Sequence, residues 1–119
     1  MTAQAATITP ITEDIITEAP TNWSELCSCV LYVKALGHDI SGNAVNLKVN
    51  TTTPQVGGLA LFRYPDGQGH VAFIEQVLED GITVSETNYN RCQWSRRFVE
   101  FNNYALRGYL APPALPLQD

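Results

Sequence analysis

Gly69-His70-Val71-Ala72-Phe73-Ile74, then Glu79-Asp80-Gly81, then Ile82-Thr83-Val84-Ser85-Glu86-Thr87-Asn88 reads as two short strands joined by a turn. A histidine opens the first strand, and a carboxylate and a carboxamide end the second. For His70, Glu86 and Asn88 to act together they must share a face, and side chains change face at every residue of a strand. That requires a loop of odd length or a bulge. A three-residue loop of Glu79-Asp80-Gly81, with the glycine left-handed, sets Asn88 diagonal to His70 with Glu86 one step further. A loop of Leu78-Glu79-Asp80 sets Asn88 opposite and Glu86 diagonal, and a two-residue Asp80-Gly81 turn puts the histidine on the wrong face. All three are open to the sequence.

Ile82 and Val84 lie on the face of Glu86, whereas Thr83, Ser85 and Thr87 lie on the other. An apolar face that ends in Glu and Asn is unusual for a purely structural strand. Burying a carboxylate without partners costs several kcal/mol, and an imidazole N–H is a natural partner. The hairpin is thus half of a candidate catalytic site that lacks only a nucleophile. Cys27-Ser28-Cys29-Val30-Leu31-Tyr32-Val33 offers two thiols for that role.

At 119 residues, with 45% apolar side chains, the chain is expected to form one soluble domain, and no apolar run is long enough to span a bilayer. A formal net charge of -5 and scattered Arg91, Arg96 and Arg97 argue against nucleic acid and against charge-driven membrane binding. Three cysteines, Cys27, Cys29 and Cys92, cannot all pair and match no common zinc spacing. At least one thiol is free, and a bridge from Cys27 to Cys92 is conceivable in an oxidising compartment. No acidic cluster resembles a calcium loop, so no metal or cofactor is expected. The first residues lack the basic and apolar regions of a signal peptide.

Along the chain, residues 1–20 read as an arm or linker with a short docking segment at Ile11 to Ile16, residues 21–111 as the folded domain and residues 112–119 as a proline-rich tail. Trp23 to Leu36 carries the best helical stripe, stopped by Gly37. If Asn22 caps it, Cys29 lies two turns in. If it starts near Cys27 or Ser28, Cys29 sits in the first turn, where unpaired N–H groups lower a thiol's pKa and form an oxyanion hole. Catalysis needs the second start. Gly42 to Val49 is expected to be a short helix, Leu59 to Tyr64 a buried central strand, and Trp94 to Phe101 with Tyr104 to Leu110 the strands that close an antiparallel sheet. Trp94, Tyr89 and Tyr64 are candidates for lining a groove, although aromatic residues near strand ends more often belong to the core.

A thiol attacks an amide only with a base to take its proton, donors for the oxyanion and an acid for the leaving amine, and Cys with His supplies nucleophile and acid/base. Of the two histidines, His38 follows the helix stop in a polar loop, which leaves His70. In this order the residues resemble the CHAP domain, the cysteine, histidine-dependent amidohydrolase/peptidase of bacterial and phage cell-wall hydrolases. Cys29-Val30-Leu31-Tyr32-Val33 is similar to its nucleophile motif, and Thr53-Pro54-Gln55-Val56-Gly57-Gly58 to its Pro-x-x-Gly stretch. Gly69-His70-Val71-Ala72 resembles its histidine motif, and Val84-Ser85-Glu86-Thr87-Asn88-Tyr89 its Ser-Glu-x-Asn-Tyr motif. The similarity runs from Trp23 to Leu110.

The resemblance implies an α+β, papain-like fold with N-terminal helices packed on an antiparallel sheet. It implies Cys29 as nucleophile, His70 as proton shuttle, and Glu86 or Asn88 as the group that orients the imidazole. The substrate would be an amide of peptidoglycan, at the sugar-peptide junction or within the stem or cross-bridge peptides, and the enzyme a monomer. A phage or bacterial lysin, made in the cytoplasm and acting at the wall after release or as part of a virion, fits the absence of a signal peptide. Cys27, two residues before Cys29, is an alternative nucleophile or a site of oxidation. Two rivals use the same residues: a papain-like amidase or acyltransferase on another substrate, and a non-enzymatic binding or structural module of a phage particle.

Overall fold

One extra residue in a strand decides which side chains of the hairpin meet. The computed structural model describes residues 13–113. It contains β1 (Leu59–Arg63), β2 (Gly69–Val77), β3 (Gly81–Thr87), β4 (Trp94–Glu100) and β5 (Leu106–Leu110) in one sheet of order β4-β3-β2-β1-β5, every neighbouring pair antiparallel. The hairpin β2-β3 uses none of the three expected loops. The Leu78 N–H donates to Gly81 O, so Glu79 and Asp80 form a two-residue tip. Val77 then faces Ile82 and Gln76 faces Thr83, a register that would turn His70 away from Glu86. Past Glu75 the register shifts, so that Ile74 faces Val84 and Phe73 faces Ser85. This bulge supplies the missing residue and returns His70 to the face of Glu86.

The alternation of β1 sorts the core into two layers. Leu59 and Leu61 join Val71 and Phe73 of β2 under Val30, Tyr32 and Val33 of a helix, α2 (Cys29–Ala35). Ala60 and Phe62 join Ala72, Ile74, Ile82, Val84, Val99, Ala105 and Tyr109 on the other face, a cluster drawn from all five strands. The fold is α+β, with its helices ahead of the sheet in sequence. Leu59–Arg63 lies inside the sheet as expected, yet the middle strand is β2, which carries His70.

The single helix expected over Trp23 to Leu36 is two. Asn22 caps α1 (Trp23–Leu26) through Oδ1, which accepts from the Ser24 N–H at 2.9 Å. Ser28 is extended, and its Oγ accepts from the Leu31 N–H at 3.2 Å to cap α2. Both possible starts are therefore used, because each is marked by its own capping side chain. The helix expected over Gly42 to Val49 shrinks to a 3-10 turn at Ala44–Asn46, where Asn43 makes no cap bond. The chain beyond it is drawn to β5 instead: the Asn50 and Thr51 N–H groups donate to Tyr109 O, and the Tyr109 N–H to Thr51 O.

The bulged Glu75 anchors the segment before α1. It has no exposed surface, and its carboxylate accepts from Thr17 N–H (2.7 Å), Thr17 Oγ1 (2.6 Å) and Arg96 Nε (2.6 Å), while Ile15 N–H donates to Glu75 O at 2.9 Å. The Tyr32 hydroxyl on α2 extends this network, lying 2.9 Å from Thr17 Oγ1, 2.8 Å from Ser85 Oγ and 3.0 Å from Trp94 Nε1. These bonds fix the rotation of α2 over the sheet. Of the expected docking segment, Ile11 and Thr12 lie outside the described residues, as do residues 114–119 of the tail.

At the start of β2, Gly69 admits a close approach of the 3-10 turn. A Cβ there would stand 2.4 Å from both the N and Cα atoms of Val45. Gly69→Ala is expected to push the turn away and lower stability by about 1–3 kcal/mol, as overpacking does, measured by urea unfolding.

Candidate active site

Ser28, as the cap of α2, makes Cys29 the first residue of the helix. The sulfur therefore lies where the first N–H groups have no intrahelical acceptor. Burial pushes the Cys29 thiol up, but the His70 imidazole and backbone donors at Val71 and Val30 outweigh it and bring the pKa below the usual thiol value. His70 shifts the opposite way. Burial lowers it, yet its interactions with Cys29 and Glu86 raise it above the ordinary imidazole value. The two directions together favour a thiolate beside an imidazolium, the charged form of the pair.

Behind the ring, the His70 Nε2–H donates to Glu86 Oε1 at 2.8 Å. Nε2 is thus taken, and Nδ1 is the nitrogen left for the sulfur. Glu86 is wholly buried and accepts also from Arg97 Nε at 2.6 Å and Ser95 Oγ at 3.2 Å. Burial raises the Glu86 carboxyl, but His70 and Arg97 hold it below the usual carboxylate range. The ring is walled by Phe62 and Tyr89, with centroids 5.7 and 5.6 Å away.

Asn88 is not part of that chain of hydrogen bonds. Continuing the register of Phe73 with Ser85 sets it opposite His70, but its backbone is left-handed, with φ of 60°, and its Oδ1 accepts from the Cys92 N–H at 2.9 Å. Its carboxamide oxygen shapes the turn after β3. Of the two residues expected to orient the imidazole, Glu86 contacts the ring and Asn88 lines the cleft beside it.

That cleft has a volume of about 440 Å³ and is bounded by Cys29 and its neighbours, by Gly42 to Val45, by Gly67 to Gly69 and by Asn88. Apart from Cys29, its wall holds no ionisable side chain. Tyr64, Tyr89 and Trp94, the aromatic candidates for lining a groove, are not in this wall. Trp94 binds Tyr32 under the helix, and Tyr64 packs parallel to Phe62. His38 is a second correction: it is buried, its Nε2 is 2.8 Å from Gly57 O, and it meets Phe73 edge-on. It stays in the loop after α2 as expected, but its side chain belongs to the core.

Cys27 and Cys92 form a disulfide, which leaves Cys29 as the free thiol. The bridge ties the junction between α1 and α2 to the turn after β3, where Arg91 and Cys92 hold left-handed backbones at φ 37° and 46°. Such conformations cost of order 1–3 kcal/mol each for residues with a side chain. The sequence left open this pairing and two of the three partners of Glu86, Arg97 and Ser95. The signal for Arg97 was its spacing: two residues after Ser95, it lands on the Glu86 face once β4 pairs Glu86 with Ser95.

The site is thus a free thiol at a helix start of an α+β domain, coupled to a buried imidazole and carboxylate. The sequence model of the CHAP domain matches residues 19–88, and the chain belongs to that family. CHAP domains are hydrolases of the amidase and peptidase type whose typical substrate is peptidoglycan. No curated protein and no solved structure matches the chain.

The bridge closes a loop with a sequence separation of 65. Replacing both residues, Cys27→Ser with Cys92→Ser, is expected to lower stability by up to about 4 kcal/mol through the freed unfolded chain. Thermal melts with and without reductant measure it: wild-type protein under reductant should approach the double variant, which should itself be indifferent to reductant.

Proposed function

We propose that the protein is a peptidoglycan hydrolase that cleaves an amide bond through Cys29, His70 and Glu86. The observation that carries this reading is a free thiol at a helix start whose ionisation is coupled to an imidazole, with the Nε2 of that imidazole held by a buried carboxylate. The Cys29 thiolate attacks the amide carbonyl, and the oxyanion that forms meets the unpaired N–H groups at the start of α2. His70, as imidazolium, donates its Nδ1 proton to the leaving nitrogen as the C–N bond breaks, leaving a thioester. Water then attacks the thioester with neutral His70 as base, releasing a carboxylic acid and restoring the thiol. Glu86 keeps the proton of the other nitrogen in place throughout.

A stem or cross-bridge peptide, or the sugar-peptide junction, is the proposed substrate, and a phage or bacterial lysin the proposed role. The disulfide supports action in an oxidising setting outside the cytoplasm, where such bridges persist. Asn88, on the cleft wall, is assigned to substrate contact and to the turn, not to the ring.

Cys29→Ala and His70→Ala are each expected to lower release of wall fragments by about 10⁴-fold or more while the far-ultraviolet circular dichroism is unchanged. Mass spectrometry of the digested wall identifies the amide from its new termini. Activity should rise with pH as the lowered thiol ionises and fall as the raised imidazolium gives up its proton, the signature of a reaction that needs one group in each form. An intact Cys29→Ala variant that still releases fragments would remove the thiol from the mechanism.

A further inference from the structure

Arg97 stands behind the carboxylate, beyond the stretch matched by the family. Its Nε donates to Glu86 Oε2 at 2.6 Å, and its Cζ lies 3.9 Å from the Tyr89 ring centroid and 5.2 Å from that of Phe62. The guanidinium is thus stacked against the same two rings that wall His70. The Tyr64 hydroxyl also faces it, and burial pushes that phenol up to about 12, so it is neutral beside the cation. Among the described residues Arg97 Nη2 is the one buried side-chain donor without a partner. An unmet buried donor costs about 1–3 kcal/mol. That cost is set against the pairing of the buried Glu86 carboxylate, which the guanidinium meets through Nε alone.

Resting on the hydrolase reading above, we propose that Arg97 is a positioning residue for the reactive pair: wedged against Tyr89 and Phe62, it aims the Glu86 carboxylate at His70 Nε2 and so leaves Nδ1 to Cys29. The charged and titratable groups involved are few. Glu86 is faced by His70 from β2 and by Arg97 from β4, with Ser95 as a neutral donor. Arg97 is faced by Glu86 from β3, by Tyr89 from the following turn and by Tyr64 after β1. Without the guanidinium, His70 is the one cation left against Glu86, beside the neutral Ser95 hydroxyl. The carboxylate then takes up a proton at higher pH, and the imidazolium loses its counter-charge over the same range.

The test is the pH dependence of Cys29 alkylation by iodoacetamide, with the Cys27–Cys92 bridge left oxidised, in wild type, Arg97→Gln and Arg97→Lys. Arg97→Gln is expected to slow alkylation about tenfold at mildly acidic pH, as loss of an adjacent opposite charge implies, and to leave it nearly unchanged at alkaline pH. Arg97→Lys should recover much of the acid side. NMR titration of the Glu86 carboxyl in the unaltered protein adds a readout that needs no variant, and it should stay ionised well below the usual carboxylate range. Equal, pH-independent slowing in both variants would reduce Arg97 to packing and overturn the proposal, as would a Glu86 carboxyl that titrates normally in wild type. A wild-type alkylation profile like that of a free thiol would instead overturn the thiolate–imidazolium reading beneath it.

Discussion

A carboxylate with no contact with water has to be surrounded by donors, and the placement of Glu86 imposes that condition on three strands at once. Its Oε1 requires His70 of β2 and its Oε2 requires Arg97 and Ser95 of β4. The donors come from both sides of β3, so the sheet order around that strand is also the wiring of the site. Leaving a buried charge unpaired costs several kcal/mol. Any register that separates these groups is therefore penalised, and the bulge at Glu75 is the local irregularity that the arrangement accepts in return.

The same bulge serves a second buried carboxylate. Glu75 gathers Thr17 and Arg96 on the helix side of the sheet, and through Tyr32 it joins α2 to β3 and β4. One carboxylate thus seats the helix that carries the sulfur, and the other seats the ring that the sulfur meets. The alternation of Arg96 and Arg97 along β4 sends one cation to each. Read as a pair of scattered basic residues, they look like solvated charge. Read with the pairing of Glu86 and Ser95, each becomes the partner of a buried acid.

Much of the site is legible in local sequence, because the features that carry it are local. Ser28 before Cys29 is a cap signal, and the alternation of Ile82, Val84 and Glu86 names the face. What the sequence could not supply are long-range geometries. The two-residue tip at Glu79-Asp80 and the bulge at Glu75 are coupled choices, and neither residue announces them alone. Residues 42–49 look helical, but the backbone of Tyr109, distant in sequence, competes for Asn50 and Thr51 and wins. His38 reads as a polar loop residue because its partner, Gly57 O, is also far along the chain. Asn88 reads as a ring partner by its position in the strand, but its side chain closes the turn to Cys92.

The reactivity of the site turns on the charge state of the Cys29 sulfur, and the ultraviolet absorbance of a thiolate reports that directly. Titrated in the oxidised protein, the absorbance assigned to Cys29 by its absence from Cys29→Ala should already be present near neutral pH, and it should diminish there in Glu86→Gln. A Cys29 sulfur that stays protonated until the pH of an ordinary thiol, with no difference between wild type and Glu86→Gln, would contradict the coupling of thiol, imidazole and carboxylate.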